Sequence, residues 1–472
     1  MTSENHDHQH APNRFAVIPT PVRLNADREH TGKGVTIAFL DSGFYPHPDL
    51  LQPANRILFY KDLTDEQTTL ETSHPPEPWQ WHGTQTSVVA AGSGHLSNQI
   101  YRGLAHEAQL VLVKASENGR ITESNIARGI RWVIENRERF NIRILNISLG
   151  GDEDVPCTRS IIDQAAEDAI ANGIIVVAAA GNSGAQHSIP PANSPSVITV
   201  GGYHDNNRLN DRLDLYHSNF GTTADGTVKP EIVAPAMWVA APILPGTDVY
   251  ARAEALSRLA AAPDYELPSL ARQLEDIAED LGPDAIRKHV EDVLQNEKIV
   301  ATHYQHVDGT SFAAPIVTSI LAQMLQANPT LTPGTIKNIL ISTADRIAHA
   351  PAIRQGFGVV NACRAVELAK KESHSLNTID STPPRVQNRH VVFVYHDDRA
   401  ERVSLAGEFN RWHEQPLTKD ANGLWLCRLT TPGAGSYEYK FVVDGKRWIE
   451  DPGNGMRVPD SFGGLNSVLV IQ

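Results

Sequence analysis

The chain reads as a doubly wound parallel α/β domain followed by a smaller all-β sandwich. Three observations predict this. Short apolar runs alternate with segments of helical spacing through most of the length. A polar stretch with a Pro-Pro then interrupts the pattern. Beyond it the apolar residues recur every second position, between turn signals such as Asn-Gly and Asp-Gly. With 472 residues, 41% of them hydrophobic, the chain exceeds one average domain and can bury substantial cores.

The elements follow in order. Residues 1–33 are polar and then Pro-punctuated, a tail and an entry segment. VTIAFLD (35–41) is a short apolar run ending at an Asp, a buried parallel strand. LVLVKA (110–115) is a second. Ile126, Ile130, Val133 and Ile134 lie on one helical face, with Thr122 as N-cap. RILNISLG (143–150) is a third strand, 160–171 a helix stopping at Gly173, and IIVVAAAGN (174–182) a fourth strand. In such sheets ligands bind beyond the carboxyl ends of the strands.

Residues 245–301 change character. They are alanine-rich, acidic and helix-favouring, and read as two or three amphipathic helices inserted before GTSFAAP. The segment 34–372 then forms the first domain, 373–388 a linker, and 389–472 the β module.

A net charge of −14 supplies no basic stripe, which argues against nucleic acid as a partner. No run approaches the roughly 18 apolar residues that cross a bilayer, so no membrane role is expected. Cys157, Cys363 and Cys427 are too dispersed for a metal site or a disulfide framework. His6, His8 and His10 read as part of a polar tail.

Peptide hydrolysis by serine needs an exposed hydroxyl, a neutral imidazole, a buried carboxylate and donors facing the oxyanion. Each has a candidate. Ser311, in DGTSFAAP, opens an apolar helix, at the positive end of its dipole. Pro315 is placed in the first turn. His82 lies in WHGTQTSVVAAG, Asp41 ends a strand, and Asn182 ends VVAAAGN. Taken singly, each reads as a cap, a packing residue or a turn.

Together these segments, in the order Asp, His, Asn, Ser, resemble the signature segments of the subtilase family of serine proteases. GLAHEAQLVLVKA, ILNISLGG, KPEIVAPA and GFGVVNA extend the match across 34–372. The resemblance implies a subtilisin-like fold and a serine endopeptidase acting on proteins or peptides. It assigns Ser311 as nucleophile, His82 as base and then acid, and Asp41 as its orienting partner. Asn182 and the Ser311 N–H would form the oxyanion hole. Ser148, Leu149, Gly150 and Gly151, with Ala179, Ala180 and Ile189, would bind substrate. Ile189 near the pocket base implies a preference for small or modest apolar side chains.

There are departures. Gln85 stands where the family usually has a second His, Phe312 where Met is common, and Ala236 where Gly is usual. The loop corresponding to the family's frequent calcium site, GHLSNQIYRG (94–103), lacks a carboxylate. No cofactor is expected to be required, and structural calcium is unsupported. With Asp41 so early, the sequence leaves no space for a signal peptide and folding prodomain, which implies a likeness to the intracellular, cytoplasmic members or a mature form. Residues 14–24 form a candidate inhibitory segment across the cleft.

In the second domain LAGEFNRW, YEYKFVVDGKRW and GGLNSVLVI resemble the isoamylase-type carbohydrate-binding modules, including the glycogen-binding module of the AMP-activated kinase beta subunit. This implies an immunoglobulin-like sandwich. Trp412, Lys440, Trp448, Phe462 and Asn466 match its sugar-contacting positions. Gly464 replaces a polar residue. Two readings stay open: binding of glycogen or a related α-glucan, or a module serving protein contact or stability.

Overall fold

A computed structural model describes residues 16–65, 69–70, 76–117, 119–151, 154–209, 211–272, 281–372, 384–387, 390–397, 400–419, 424–433, 435–454, 457–460 and 464–471. Phe462, the histidine-bearing tail and most of the linker lie outside these residues.

The first domain is built on strands β1 (Thr36–Asp41), β2 (Ile57–Asp62), β3 (Gln109–Lys114), β4 (Ile142–Ile147), β5 (Ile175–Ala179), β6 (Ile198–His204) and β7 (Ile232–Pro235). They pair in parallel in the spatial order β2-β3-β1-β4-β5-β6-β7. Alternation sends Ile37 and Phe39 to one layer and Ala38 and Leu40 to the other. Helix α1 (Trp81–Ala91) packs Val88 and Val89 on the first. Helix α2 (Glu123–Phe140) packs Ile126, Ile130 and Val133 on the second. Helix α3 (Ile161–Ala171) lies beside it, with Ile162 and Ala166 in the same core. Thr122 caps α2 by accepting the Asn125 N–H at 3.2 Å. Gly173, at φ +81°, ends the turn after α3.

Chain order reverses around β1, which has β3 on one side and β4 on the other. The crevice beyond its carboxyl end is thus the expected ligand site. Asp41 ends β1 there. The strands β4 and β5 end at Ile147 and Ala179, earlier than the apolar runs predict. The residues freed, 148–151 and 180–182, become loops at the crevice rather than ladder positions.

The insertion is a small unit of its own. Strand β8 (Val239–Pro242) leads to helices α4 (Asp248–Ala261), α5 (Leu267–Ala271) and α6 (Pro283–Asn296). The chain returns through β9 (Ile299–Ala301) and β10 (Tyr304–Val307), which form an antiparallel sheet ordered β8-β10-β9. Leu256, Leu259, Leu267, Ile286 and Val290 give it a separate core. The helical reading of its middle holds, but its last residues form β9. Gln85, the departure in the histidine segment, is buried and donates to the Pro242 carbonyl at 2.9 Å, tying α1 to the insertion's base.

Helix α7 (Thr310–Ala327) runs through the first core with Val317, Ile320, Leu321, Met324 and Leu325 buried. It starts at Thr310, so Pro315 is its sixth residue and not in the first turn as predicted. A proline there removes the N–H that would bond the carbonyl four residues back, that of Ser311. The Ser148 hydroxyl takes that carbonyl instead, at 3.0 Å.

Of the candidate inhibitory segment 14–24, residues 14 and 15 lie outside the described residues, and the rest is anchored by its own contacts. Arg23 is buried and donates to the carbonyls of Met237 and Trp238, at 2.8 and 3.1 Å, and pairs with Asp205 at 3.4 Å. Val17 packs with Val300 and Tyr304.

The second domain contains β11 (His390–His396), β12 (Val403–Gly407), β13 (Leu424–Thr430), β14 (Gly435–Val443), β15 (Arg447–Ile449) and β16 (Leu465–Ile471). One sheet pairs β11 with β13; the other places β14 between β12 and β16, with β15 alongside. Phe393, Leu405, Trp425, Tyr439 and Phe441 fill the space between.

Candidate active site

Asp41 is 1% exposed, at the end of a fully buried strand. Its Oδ1 accepts from His82 Nδ1 at 2.7 Å and from the Ser42 N–H at 2.7 Å. The Thr86 hydroxyl, one turn along α1 from His82, donates to Oδ2 at 3.2 Å. Glycine at 83 is needed for this approach: a Cβ there would stand 2.3 Å from the Gly43 carbonyl oxygen and 2.9 Å from Asp41 Cβ. Burial disfavours the His82 imidazolium, but the charge and hydrogen bond of Asp41 outweigh it, and the His82 pKa is raised. The Trp81 ring meets the imidazole edge-on at 5.2 Å, and Phe312 lies 5.9 Å away on the helix that carries Ser311.

Asn182 follows β5. Its Oδ1 accepts the Thr310 backbone N–H at 2.8 Å and the Thr310 hydroxyl at 2.9 Å. A backbone N–H can only donate, so the amide orientation is fixed and Nδ2 is left as the outward donor. Thr310 Oγ1 in turn accepts the Gly181 N–H at 3.1 Å. Gly309, at φ +140°, lies next to this amide; a Cβ there would be 3.4 Å from Asn182 Nδ2. No other residue type adopts that backbone readily.

Ser148 bonds to the segment that carries Ser311. Its hydroxyl donates to the Ser311 carbonyl and accepts from Asn146 Nδ2 at 3.2 Å. Thr318 on α7 donates to Asn146 Oδ1 at 3.0 Å. Ser42, Thr86, Thr310, Asn146 and Thr318 escaped the sequence reading. All are small polar residues whose sequence signal is that of any turn or helix.

The predicted substrate residues do not all share one role. Gly150 is exposed, and Ile189 lies beneath it: a Cβ at 150 would be 2.9 Å from Ile189 Cδ1. The Gly151 N–H donates to the Pro190 carbonyl at 2.8 Å, closing that wall. Leu149 is half-buried against the second core, and Ala179 is half-buried at the end of β5. Ala180 is fully buried, so its methyl backs the wall and does not line it.

In the second domain the indoles of Trp412 and Trp448 come together, ring centres 6.4 Å apart and planes inclined by 38°. Trp448 is 46% exposed. Trp448 pairs with Val442 on β14, and Lys440 and Glu438 alternate onto the same outer face, opposite the buried Tyr439 and Phe441. Lys440 pairs with Asp460 at 2.5 Å, and Asn466 donates to Glu438 at 2.6 Å. Phe462 is outside the described residues.

Among the described residues no group of three His, Cys, Asp or Glu side chains gathers as a metal centre would require. Beside the loop 94–103, Asp49 is fully buried and accepts from the Leu96 N–H at 3.0 Å and the Tyr304 hydroxyl at 2.5 Å. No described helix is long and apolar enough to cross a membrane.

Comparison with known proteins places this geometry. The subtilase family pattern matches residues 32–359, and the pattern described as the glycogen recognition site of AMP-activated protein kinase matches residues 389–472. Serine protease AprX of Bacillus subtilis (strain 168) is 33% identical over 353 residues, 71% of this chain and 67% of that one. The major intracellular serine protease of the same strain is 34% identical over 178 residues, 36% of this chain and 51% of its own. Fervidolysin from Fervidobacterium pennivorans, a keratinolytic enzyme related to subtilisin, shares the fold. Its TM-score is 0.52 at 18% identity, over 89% of this chain and 55% of that one. With a buried Asp41 bonded to a half-buried His82 at the sheet's switch point and a family match over most of its length, the chain belongs to the subtilases, as a subtilisin-like serine protease joined to a module of the glycogen-recognition type.

Proposed function

We propose that the chain cleaves peptide bonds with Ser311 as nucleophile, His82 as base and acid, Asp41 as its orienting carboxylate, and Asn182 with the Ser311 N–H as oxyanion donors. The Asp41–His82 bond of 2.7 Å, with its carboxylate buried, carries this reading. It fixes the tautomer with Nδ1 protonated, leaving Nε2 free to accept. Ser311 Oγ attacks the scissile carbonyl carbon as its proton passes to Nε2. The oxyanion that forms is met by Asn182 Nδ2, whose aim Thr310 sets. His82 then returns the proton to the departing amine, and water repeats the sequence on the acyl-enzyme. Ser148–Gly150 would hold the substrate backbone as an added strand. With Ile189 beneath Gly150, the pocket is shallow and takes small or modest apolar side chains. Ser311→Ala should lower hydrolysis of a peptide substrate by about 10⁴-fold or more, with folding intact. Retained activity would refute the assignment. A dominant cleavage after large aromatic residues in peptide-library profiling would refute the pocket reading.

For the second domain we propose α-glucan binding. Two inclined indoles suit a curved α-linked chain, where coplanar rings would suit a flat one. Wild-type protein should co-sediment with glycogen, and Trp412→Ala and Trp448→Ala should each lose it. Equal sedimentation of all three would favour protein contact as the module's role, in line with the ion pair that already engages Lys440.

A further inference from the structure

Asp308 stands three residues before Ser311 and performs no step in the mechanism proposed above. Its contacts nevertheless converge from three directions. Oδ1 accepts the Trp238 backbone N–H at 3.1 Å, and Oδ2 is paired with Lys298 Nζ. His306 Nδ1 lies 3.8 Å from the carboxylate. Next to it, the Gly309 N–H donates to the Ala236 carbonyl at 2.8 Å, so 236–238 and 308–309 are clamped together.

The backbone around this carboxylate is unusual. Trp238 has φ +59° and Lys298 φ +61°. Bulky residues rarely adopt the left-handed region, and they persist there only where the surroundings dictate it; such positions gather at functional sites. Here the surroundings can be named. The Trp238 indole stacks on the His306 ring at 4.5 Å, and the His306 N–H donates to the Lys298 carbonyl at 2.8 Å. Both strained residues are thus oriented toward Asp308, one by its N–H and one by its ammonium.

Lys298 lies between α6 and β9, at the end of the helical insertion. Thr310, two residues beyond Asp308, holds the Asn182 amide. We propose that Asp308 is a positioning residue: its ion pair with Lys298 makes the insertion set the placement of Gly309–Ser311, and with it the nucleophile and the oxyanion donors. This rests on Ser311 being the nucleophile. The insertion is then part of the catalytic apparatus at one remove, acting through a single carboxylate.

The test uses the full chain and four variants: Lys298→Met, Lys298→Arg, Asp308→Asn and the double Lys298→Met/Asp308→Asn. Lys298 is 48% exposed, so its removal leaves the fold intact, and Asn at 308 still accepts from Trp238. The measurements are kcat and KM on a peptide substrate, and the melting temperature. Lys298→Met and Asp308→Asn should each lower kcat about tenfold. Their KM should stay within about twofold of wild type, the pattern of a transition-state effect. The double variant should be no worse than the poorer single, and Lys298→Arg should recover most of the rate. Melting temperatures should stay near that of wild type. Unchanged kcat in the single variants, losses that multiply in the double, or a rate loss that follows a fall in melting temperature would each overturn the proposal. Fluorophosphonate labelling abolished by Ser311→Ala serves as the control: its failure would count against the nucleophile, independently of the ion pair.

Discussion

At the residue scale, chemistry depends on side chains whose freedom has been removed. His82 has both its tautomer and its pKa set by Asp41. As the proposed base it must be neutral to accept a proton, so activity should fall as pH drops through its pKa. That pKa is raised, so the acid limb of kcat/KM should lie above about 6.5, the ordinary imidazole value. Asp41→Asn removes the raising charge and leaves burial, so any residual activity should lose its acid limb at lower pH. A pH–rate profile of both proteins decides this; an identical limb in both would contradict it. Asn182→Ala should lower kcat by a factor corresponding to about 2.7–4 kcal/mol, a range established on subtilisin for this kind of donor, with KM little changed. A proportional rise in KM would show that the amide binds substrate and transition state alike. The candidate chemical groups were legible because each sits in a distinctive segment. Their supports were not. Thr310 reads as any residue at a helix start, and only coordinates reveal its double hold on Asn182.

At the element scale, charge is used to pin strand β7 to its neighbours. Lys229 is fully buried, and Lys229 and Lys337 meet Glu231 Oε1 at 2.6 and 2.8 Å. The other oxygen, Oε2, accepts the Thr199 N–H of β6 at 2.8 Å. Burial lowers Lys229 to about 8, with Glu231 pulling the other way. Glu231 is held below its ordinary range, since the two ammonium groups outweigh its own burial. Glu231→Ala leaves both cations uncompensated and should cost about 3–5 kcal/mol in urea unfolding. A loss under about 1 kcal/mol, the range of a surface pair, would contradict the account. The same region marks the limit of sequence reading. Strand β6 carries Gly201 and Gly202, which break the β-branched signal. They are there because a Cβ would meet Pro230 Cγ at 2.8 Å and Ala236 Cβ at 2.3 Å. Strand β2 is an edge strand with most of its side chains half-exposed, so it lacks the apolar run that betrays β1 and β3. Pro315 misled in the opposite direction: a proline near a helix start suggests the first turn. Here it sits one turn later, because Ser148 supplies the donor its carbonyl partner needs.

At the scale of the whole molecule, the parallel sheet, the insertion and the β module were each visible as a change of period or composition. The sheet's order was not visible, because parallel strands buried on both faces carry no register signal. The insertion's link to catalysis was also hidden, since it runs through one carboxylate and two backbone conformations. The proposed glycan face was half legible: two tryptophans were marked, and the structure brings them within 6.4 Å, while Lys440 and Asn466 are engaged by acidic neighbours. The proposed chemistry rests on one serine, activated by the Asp41–His82 pair. Labelling of the full chain with a fluorophosphonate, followed by peptide mapping, tests it most directly. A single adduct should form on Ser311, absent in Ser311→Ala and strongly slowed in His82→Ala. An adduct on another residue, or labelling that survives Ser311→Ala, would contradict it.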